Sequence, residues 1–248
     1  MSKFFVDPSA ISGSHIYIED KNDLHHLTKV LRGKVGMKID ISDGDEWEYE
    51  TELEELTADC ATLKILDKQK FASEPEVRVT LFQGVPKASK METVIQKTVE
   101  IGVDSIVPVF MERTVVVEKG NFGKKLDRWQ KIADEAVKQC KRGIIPQVRE
   151  NCTFKEMMNQ LDDYDLVICP YENEDGYSMK DCLRKAAEGG NAPKKVAIII
   201  GPEGGFADKE IDALKEINAE IVTLGKTILR TETAGLVALT MVMYELEL

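Results

Sequence analysis

The spacing of hydrophobic and polar residues changes near residue 75. Before that point, short stretches such as 14–19 and 37–41 alternate apolar with polar residues, which is typical of half-buried β-strands. Beyond it, apolar residues recur at helical spacing over 89–101 and 124–141, which predicts amphipathic helices. Short apolar runs lie between these helices, and strands that alternate with helices indicate a parallel sheet covered on both faces. The pattern therefore predicts an α/β protein with a β-rich N-terminal part.

The N-terminal part is predicted to be a separate small domain. The tetrapeptide Ser-Asp-Gly-Asp at 42–45 predicts a hairpin turn, and a short helix is expected at 23–30. Small β domains of this kind are often barrels, because closure leaves no edge strand unpaired. The polar segment 68–76 contains a proline and is interpreted as the linker. The predicted domains are therefore a β-barrel at 1–70 and the α/β part at 76–248.

Two apolar runs near the C-terminus, 196–200 and 221–224, are each followed by a glycine loop. They are predicted to be buried parallel strands, and ligands of open α/β sheets bind beyond the carboxyl ends of such strands. The first loop has neither the spacing of a P-loop nor that of G-x-G-x-x-G, and Pro202 removes an N–H that a phosphate site would use. The two loops are therefore expected to form one pocket for a small molecule that is not held by phosphate. The alternative is a pair of ordinary strand-to-helix turns.

Cysteine usage and hydropathy narrow the class of protein. Five cysteines, without any C-x-x-C pair, argue against disulfides and zinc and favour a reducing compartment. The three histidines offer no distributed metal site. No apolar run reaches the ~18 residues of a membrane span. The apolar stretch at the start of the sequence is too short, and is interrupted by charge too early, for a signal peptide. A cytoplasmic protein without a metal or a membrane partner is therefore expected.

The net charge of −11 argues against broad binding to nucleic acid. Much of the excess lies in one acidic segment, 43–59, which contains no lysine or arginine, and the remainder is close to balanced. A local basic surface on an acidic protein is compatible with one specific RNA partner, although each basic cluster alone is more typical of a solvated helix face. The clusters are Lys29, Arg32, Lys34 and Lys38; Lys87, Lys90 and Lys97; and Lys138, Lys141, Arg142 and Arg149.

The residues around the two glycine loops carry a family resemblance. The segments are Gly201-Pro202-Glu203-Gly204-Gly205-Phe206, Leu224-Gly225 and Ile228-Leu229-Arg230-Thr231-Glu232-Thr233-Ala234. They resemble the signature of the uridine-N3 methyltransferases of 16S (small-subunit) ribosomal RNA, within the SPOUT superfamily. The segment from His26 to Arg32 resembles the PUA-like RNA-binding domain of that family. Further matches at 87–113 and 135–146 extend the resemblance over nearly the whole chain.

The resemblance implies a fold, a cofactor and partners. The fold would be a parallel-sheet SPOUT domain with a deep trefoil knot, preceded by a PUA-like β-barrel. The cofactor would be S-adenosylmethionine, and the reaction would be methylation of uridine N3 in 16S rRNA within the small ribosomal subunit. SPOUT domains pair, so a homodimer is implied, with RNA across both subunits. A non-catalytic ribosome-assembly factor and a SPOUT ribose 2′-O-methyltransferase remain as alternatives.

Three sets of residues are predicted to form the site. The cofactor set is Ile200, Gly201, Gly205, Leu224, Gly225, Ile228, Leu229 and Arg230. The RNA set is Lys29, Arg32, Lys87, Lys138, Gln139 and Arg142. The catalytic set is Arg230, Glu232 and Glu203. Loss of the N3 proton leaves an anion that the guanidinium of Arg230 would stabilise, while Glu232 or Glu203 would act as the base or would orient Arg230.

One residue departs from the family pattern. Ala207 stands where the family commonly has Ser or Thr. A capping box with Glu210 would lose its hydroxyl, at a cost of ~1 kcal/mol of helix stability. Either Glu210 still caps the amide alone, or Asp208 shifts the cap by one residue.

Overall fold

The computed structural model describes residues 3–71, 74–117, 120, 122–188 and 192–247. The chain divides into two compact units, of which the first combines Met1–Glu74 with Val137–Ile145 and the second combines Pro75–Ala136 with Pro146–Leu248. Within the described ranges, the first unit is built on a sheet of six strands and the second on a parallel sheet of seven. The predicted α/β class with an N-terminal β domain is confirmed.

The first unit surrounds one hydrophobic core. Its strands are β1 (Lys3–Phe5), β2 (Ile11–Ser12), β3 (His15–Ile18), β4 (Lys38–Ser42), β5 (Trp47–Leu56) and β6 (Ala61–Lys70). They lie in the order β1-β4-β5-β6-β3-β2, and every pairing is antiparallel except that of β1 with β4. Alternate residues face the core, so that Ile39, Ile41, Leu53 and Leu63 are buried. The predicted hairpin at 42–45 joins β4 to β5 and is confirmed.

The helix predicted at 23–30 begins earlier and changes its winding midway. Helix α1 spans Lys21–His25, and the carboxylate of its N-cap Asp20 accepts two backbone N–H groups of the first turn at 2.9 and 3.0 Å. A π-helical turn follows over His26–Val30. The start was missed because Asp20 satisfies N–H groups that have no partner within the helix, which the apolar spacing does not reveal.

The acidic segment 43–59 consists largely of β5, and cations from other strands lie beside it. Lys38 on β4 binds Glu50, and the ammonium of Lys3 on β1 binds Glu48 at 2.6 Å. Such cross-strand pairs neutralise part of the negative charge. The acidic segment therefore has cations beside it in the fold, although its own sequence contains none.

Strand β6 extends into the segment that was interpreted as the linker. Residues 68–70 pair with β5 as far as Trp47, so this part is strand. The ammonium of Lys68 lies 3.9 Å from the ring centre of Trp47, a cation–π contact that favours the longer strand. Residues 72 and 73 of the predicted linker lie outside the described residues.

The second unit alternates strands with helices. Its strands are β7 (Arg78–Gly84), β8 (Ser105–Phe110), β9 (Gln147–Val148), β10 (Cys152–Thr153), β11 (Leu166–Pro170), β12 (Lys195–Ile200) and β13 (Glu220–Val222). Its helices are α2 (Lys90–Ile101), α3 (Phe122–Cys140), α4 (Phe154–Met158), α5 (Met179–Glu188), α6 (Asp208–Glu216) and α7 (Thr231–Leu246). The last turn of α3, from Val137, is grouped with the first unit. The strands lie in the order β10-β8-β7-β12-β11-β13 with β9 beside β8, and all pairings are parallel.

The long periodic segments were predicted closely, and the short elements were missed. The helix predicted at 89–101 is α2, which Gly102 ends with a φ of +118°. The apolar run 196–200 lies within β12 and is at most 2% exposed. The missed elements are β9, β10 and α4, which are too short to leave a periodic signal. Helix α4 is formed instead by a capping box between Thr153 and Glu156.

Helices cover both faces of the parallel sheet. On one face, Phe82 and Ile199 pack with Met157 of α4 and with Ile211 and Leu214 of α6. On the other, α7 packs against β7, β12, α2 and α5. The chain therefore returns from β13, at the sheet edge, to the middle of the sheet. Strand order alone does not establish the trefoil knot, which stays a prediction.

None of the described helices is both long and apolar enough to cross a membrane.

A buried carboxylate, Glu74, holds the segment 137–145 within the first unit. It accepts hydrogen bonds from Arg142 Nη2 at 2.7 Å and from the backbone N–H groups of Gly143 and Ile144 at 2.6 and 3.1 Å. The side chains of Glu74 and Arg142 are 11% and 8% exposed. A buried ion pair costs desolvation to form, but removal of one partner leaves an uncompensated charge.

Glu74→Gln is expected to lower the free energy of unfolding of the first unit by about 3 kcal/mol, since it removes the counter-ion of a buried guanidinium. Urea unfolding followed by the fluorescence of Trp47, in a Trp129→Phe background, measures this unit. The control is Glu50→Gln, which breaks the more exposed pair with Lys38 in the same unit and is expected to cost less than about 1 kcal/mol. Equal effects would show that Glu74 contributes no more than a surface carboxylate.

Candidate functional site

Three strand ends meet at one edge of the parallel sheet. Strands β12, β11 and β13 are neighbours, and because they are parallel their carboxyl ends lie on the same side. The loops that follow them line a pocket of about 600 Å³, together with Thr231 and Ala234 at the start of α7. All eight predicted cofactor residues line it: Ile200, Gly201, Gly205, Leu224, Gly225, Ile228, Leu229 and Arg230. The structure thus brings the two predicted loops together.

The third loop, after β11, was missed by the sequence analysis and makes one side of the pocket acidic. Tyr171, Glu172, Glu174 and Asp175 line the pocket there. Glu174 accepts two backbone N–H groups of its own loop at 2.8 and 3.0 Å, which holds the loop in shape. The loop follows the carboxyl end of β11, so the strand-end rule applies to it as well. Sequence order, however, does not reveal that β11 lies between β12 and β13.

The first glycine loop, 201–206, is packed tightly against protein. A Cβ at Gly201 would lie 3.1 Å from the ring of Phe206. Gly205 has a φ of +68°, and a Cβ there would overlap the carboxylate of Glu172. A Cβ at either position would therefore meet atoms of the protein itself. Packing therefore explains these two glycines, and their contact with a cofactor stays a prediction.

The second loop, 223–230, is more open. Gly225 has a φ of +137°, and a Cβ there would meet no protein atom within 4 Å in the described part of the chain. The hydroxyl of Thr223 accepts the N–H of Gly225 at 3.2 Å, which holds the turn. Ile228 is 80% exposed although it is apolar. This loop therefore offers backbone groups and an apolar side chain to a ligand.

A buried chain of hydrogen bonds, named here the Gln83 relay, joins β7, α7 and the first glycine loop. Gln83 Nε2 donates to Thr231 Oγ1 at 2.8 Å, and the Thr231 hydroxyl donates to the carbonyl oxygen of Gly201 at 2.6 Å. Gln83 is fully buried and Thr231 is 7% exposed. A Cβ at Gly235 would come within 3.3 Å of Gln83 Oε1, so α7 lies close to the amide. The relay fixes the start of α7 against the end of β12.

Lys90, the first residue of α2, lines the pocket and lies between two carboxylates. Its Nζ is 3.1 Å from Glu203 Oε1 and 3.3 Å from Glu232 Oε2. Glu203 Oε1 also accepts the backbone N–H of Lys87 at 3.0 Å. Lys90, Glu203 and Glu232 are called the charge cluster below.

The charge cluster favours ionised side chains. Burial alone would raise the pKa of Glu203, but hydrogen bonds from the Lys87 N–H and from Lys90 outweigh it, and the pKa lies below its usual value. The hydrogen bond to Glu203 raises the pKa of Lys90 against the effect of burial, and Glu232 adds to the rise. Glu203 is therefore a carboxylate of weakened basicity, and Lys90 is a cation at the pocket.

The contacts of the predicted catalytic residues differ from those that the sequence suggested. Arg230 is exposed at the N-cap of α7 and lines the pocket, as does Glu203. Glu232 is not among the described lining residues and binds Lys90. The expected contact in which a glutamate orients Arg230 is absent from the described part of the chain. The sequence analysis did not include Lys90 among the site residues. In the sequence, Lys87-x-x-Lys90 is only part of a basic cluster, and the spacing does not reveal that α7 lies beside Lys90.

Glu210 holds the far end of the first glycine loop. Its carboxylate is buried and accepts the N–H groups of Ala207 at 2.9 Å and of Glu112 at 3.0 Å. Ala207 has no side-chain acceptor, so only this half of the capping box forms. The expectation that Glu210 caps the amide alone is confirmed, and the alternative with Asp208 is not observed.

The predicted RNA-contacting residues lie in both units. Those exposed in the first unit are Lys29, Arg32, Lys138 and Gln139. Lys87 is exposed in the second unit. Arg142 is buried against Glu74, a geometry that favours a structural role over contact with phosphate. The role of all six in RNA binding stays a prediction.

Comparison with known proteins identifies the family. A model of the RNA methyltransferase domain matches residues 73–243, and a model of the RNA methyltransferase PUA domain matches residues 18–66. Ribosomal RNA small subunit methyltransferase E of Mesomycoplasma hyopneumoniae is 32% identical over 97% of this chain and 98% of its own length. The protein of the same name from Bacillus subtilis is 29% identical over 100% of this chain and 98% of its own length.

A solved structure extends the likeness to three dimensions. The crystal structure of a ribosomal RNA small subunit methyltransferase E from Neisseria gonorrhoeae bound to S-adenosyl methionine is 28% identical, with a TM-score of 0.81. The match covers 98% of this chain and 97% of that chain. On these sequence and structural matches, this chain belongs to the RNA methyltransferase family that includes the ribosomal RNA small subunit methyltransferases E.

Proposed function

We propose that this protein transfers a methyl group from S-adenosylmethionine to N3 of uridine in 16S ribosomal RNA. The observation that carries the proposal is a pocket at three parallel strand ends that is lined by glycine loops and by the cations Lys90 and Arg230. The family supports methylation of RNA. The cations support a reaction that passes through an anion of the base, and loss of the imide proton from uridine N3 gives such an anion.

The pocket fits S-adenosylmethionine in size, loop structure and charge. Its volume of about 600 Å³ lies in the range of small-molecule sites. Backbone N–H and C=O groups of 224–229 would bind the adenine, with open space at Gly225. Glu172 and Asp175 offer negative charge to a cationic ligand. When bound, S-adenosylmethionine supplies an electrophilic methyl group on a positively charged sulfur.

Arg230 would stabilise the uracil anion. The N3–H bond must break before N3 becomes a good nucleophile, and the negative charge then spreads to O2 and O4. A guanidinium stays charged and donates planar N–H groups to such oxygens. Glu203 is less suited to act as the base, because despite its burial the hydrogen bonds from Lys87 and Lys90 keep its pKa low.

The first unit would supply affinity for the RNA. Its match to the PUA domain model supports this role. The side chains of Lys29, Arg32 and Lys138 would contact phosphates, and such contacts weaken as salt concentration rises because counterions are released on binding. Action on the small ribosomal subunit would also locate the protein in the cytoplasm.

A homodimer would cover the outer face of α7. The inner face, with Ala238 and Leu239, is buried within the second unit. Leu236 and Val237 are half-buried, and Tyr244 is 70% exposed. A helix that is apolar on more than one face is typical of burial against a second partner.

Gly225→Val is expected to lower the affinity for S-adenosylmethionine at least about tenfold. A branched side chain at this φ costs ~1–2 kcal/mol of strain, which the loop would relieve by changing its conformation. Isothermal titration calorimetry measures the affinity. The matched control is Gly36→Val, since Gly36 has a φ of +87° and open space for a Cβ but lies in the first unit. Unchanged affinity in a folded Gly225→Val protein would remove this loop from the site.

Arg230→Ala is expected to lower kcat roughly 10²-fold with little change in cofactor affinity, because one donor to the anion is lost. A higher pH is expected to restore part of the rate, since it removes the N3 proton in advance. Single-turnover methylation of small ribosomal subunits against pH measures both effects. Arg184→Ala, on the exposed face of α5, is the control. A wild-type rate and pH profile for Arg230→Ala would exclude Arg230 from the chemistry.

Light scattering at low micromolar concentration is expected to give twice the 27.8 kDa of a single chain. Tyr244→Asp places a charge on the outer face of α7 and is expected to reduce the mass to that of one chain. Lys131→Asp, at an exposed position of α3, is the control and should leave the dimer intact. A single-chain mass for fully active wild-type protein would contradict the dimer.

A further inference from the structure

Lys90 lines the pocket, carries a charge and is held from two sides, which are the properties that stabilisation of an anion requires. We propose that Lys90 is a second catalytic cation of the site, which stabilises the uracil anion together with Arg230 and is oriented by Glu203 and Glu232. This inference rests on the proposed methylation of uridine N3.

The contacts of Lys90 leave part of its ammonium group available. Its Nζ carries three N–H donors. The described contacts are with two carboxylate oxygens, one of Glu203 at 3.1 Å and one of Glu232 at 3.3 Å. The side chain is 31% exposed. A third donor can therefore bind a ligand oxygen while both ion pairs remain.

Glu232 acts through Lys90 and not on the substrate. Lys90 and Glu203 line the pocket, whereas Glu232 is not among its described lining residues. Glu232 Oε2 is shielded from solvent and has no well-aligned hydrogen bond within the described residues, so its contact with Lys90 is a charge pair. A shielded carboxylate at this distance favours a charged Lys90 and fixes the direction of its Nζ. Glu232 is therefore a positioning residue.

The fold sets the place of the Lys90 ammonium group. Glu203 lies in the loop after β12, and Glu232 lies in the first turn of α7. The end of β7, from which the chain leads into α2, packs so closely on the loop after β12 that a Cβ at Gly84 would lie 2.5 Å from the nitrogen of Pro202. Three segments therefore define the position of a side chain that is flexible on its own.

The two carboxylates that contact Lys90 keep it protonated. The groups that face the pocket beside the charge cluster are Glu172, Glu174 and Asp175 after β11, and Lys226 and Arg230 after β13. Together with Glu203 and Glu232, the carboxylates outnumber the cations. The hydrogen bond to Glu203 raises the pKa of Lys90, burial opposes this effect, and Glu232 reinforces it.

Two cations match the charge distribution of the uracil anion. When the N3–H bond breaks, the proton passes to water and the electron pair stays on the ring, where O2 and O4 on opposite sides of N3 share the charge. A single cation beside one oxygen leaves the charge on the other to solvent. Lys90 comes from α2 and Arg230 from the loop before α7, so each can serve a different oxygen.

The test uses the full-length protein, small ribosomal subunits and single-turnover methylation between neutral and alkaline pH. Lys90→Met is expected to be roughly 10²-fold slower at neutral pH, and its deficit should shrink as pH rises because hydroxide supplies the anion. Lys90→Arg retains the charge and should keep most of the rate. Lys97→Met, on the exposed face of the same helix, should behave as wild type. Calorimetry should give an unchanged affinity of Lys90→Met for S-adenosylmethionine.

Glu232→Gln keeps Lys90 and the size of the side chain, and it tests the positioning role should Lys90→Met fail to fold. It is expected to lose less rate than Lys90→Met and to regain it at high pH. A wild-type rate and pH profile for Lys90→Met would overturn the inference. So would a deficit that is the same at every pH and accompanies weaker cofactor binding, because that pattern marks a structural contact. If the wild-type protein leaves uridine N3 unmethylated, the proposed function itself fails.

Discussion

Two buried hydrogen bonds hold the pocket together. Gln83 at the end of β7 and Gly201 at the end of β12 are joined through Thr231, the first residue of α7. The bond from Gln83 to Thr231 links positions 148 residues apart in the chain. Because these bonds join largely buried groups, they tie the start of α7 to the middle of the sheet. Arg230 precedes Thr231 directly, so the position of its backbone depends on the same two bonds.

The position of the start of α7 beside β12 also explains the electrostatics of the pocket. Once α7 begins beside β12, Glu232 in its first turn and Glu203 in the first glycine loop reach the same lysine. The carboxylates then hold a cation at the pocket, and hydrogen bonds lower the pKa of Glu203 although burial opposes the change. A cation held in this way is suited to stabilise an anion by charge, and the proposed loss of the proton from a weakly acidic imide would give such an anion.

The sequence predicted where strands and helices lie along the chain better than it predicted which of them lie side by side in the fold. Apolar runs and helical spacing located β12, α2 and α3 to within a few residues, because a buried strand and the buried face of a helix each leave a strong pattern. Asp20 as a cap and the short helix α4 escaped, since both depend on hydrogen bonds of single side chains. All eight predicted cofactor residues line one pocket. Lys90 and the loop after β11 were missed, because which strands lie side by side is a property of topology and not of residue spacing.

The proposed function requires that this pocket direct a methyl group to a ring nitrogen of uridine. The most direct measurement is mass spectrometry of nucleosides from small-subunit RNA that lacks the modification and has been incubated with the protein and S-adenosylmethionine. We expect a single new nucleoside with the retention time and fragmentation of N3-methyluridine, in which the added mass stays with the base. A methyl group that stays with the ribose, or RNA without any added methyl group, would contradict it.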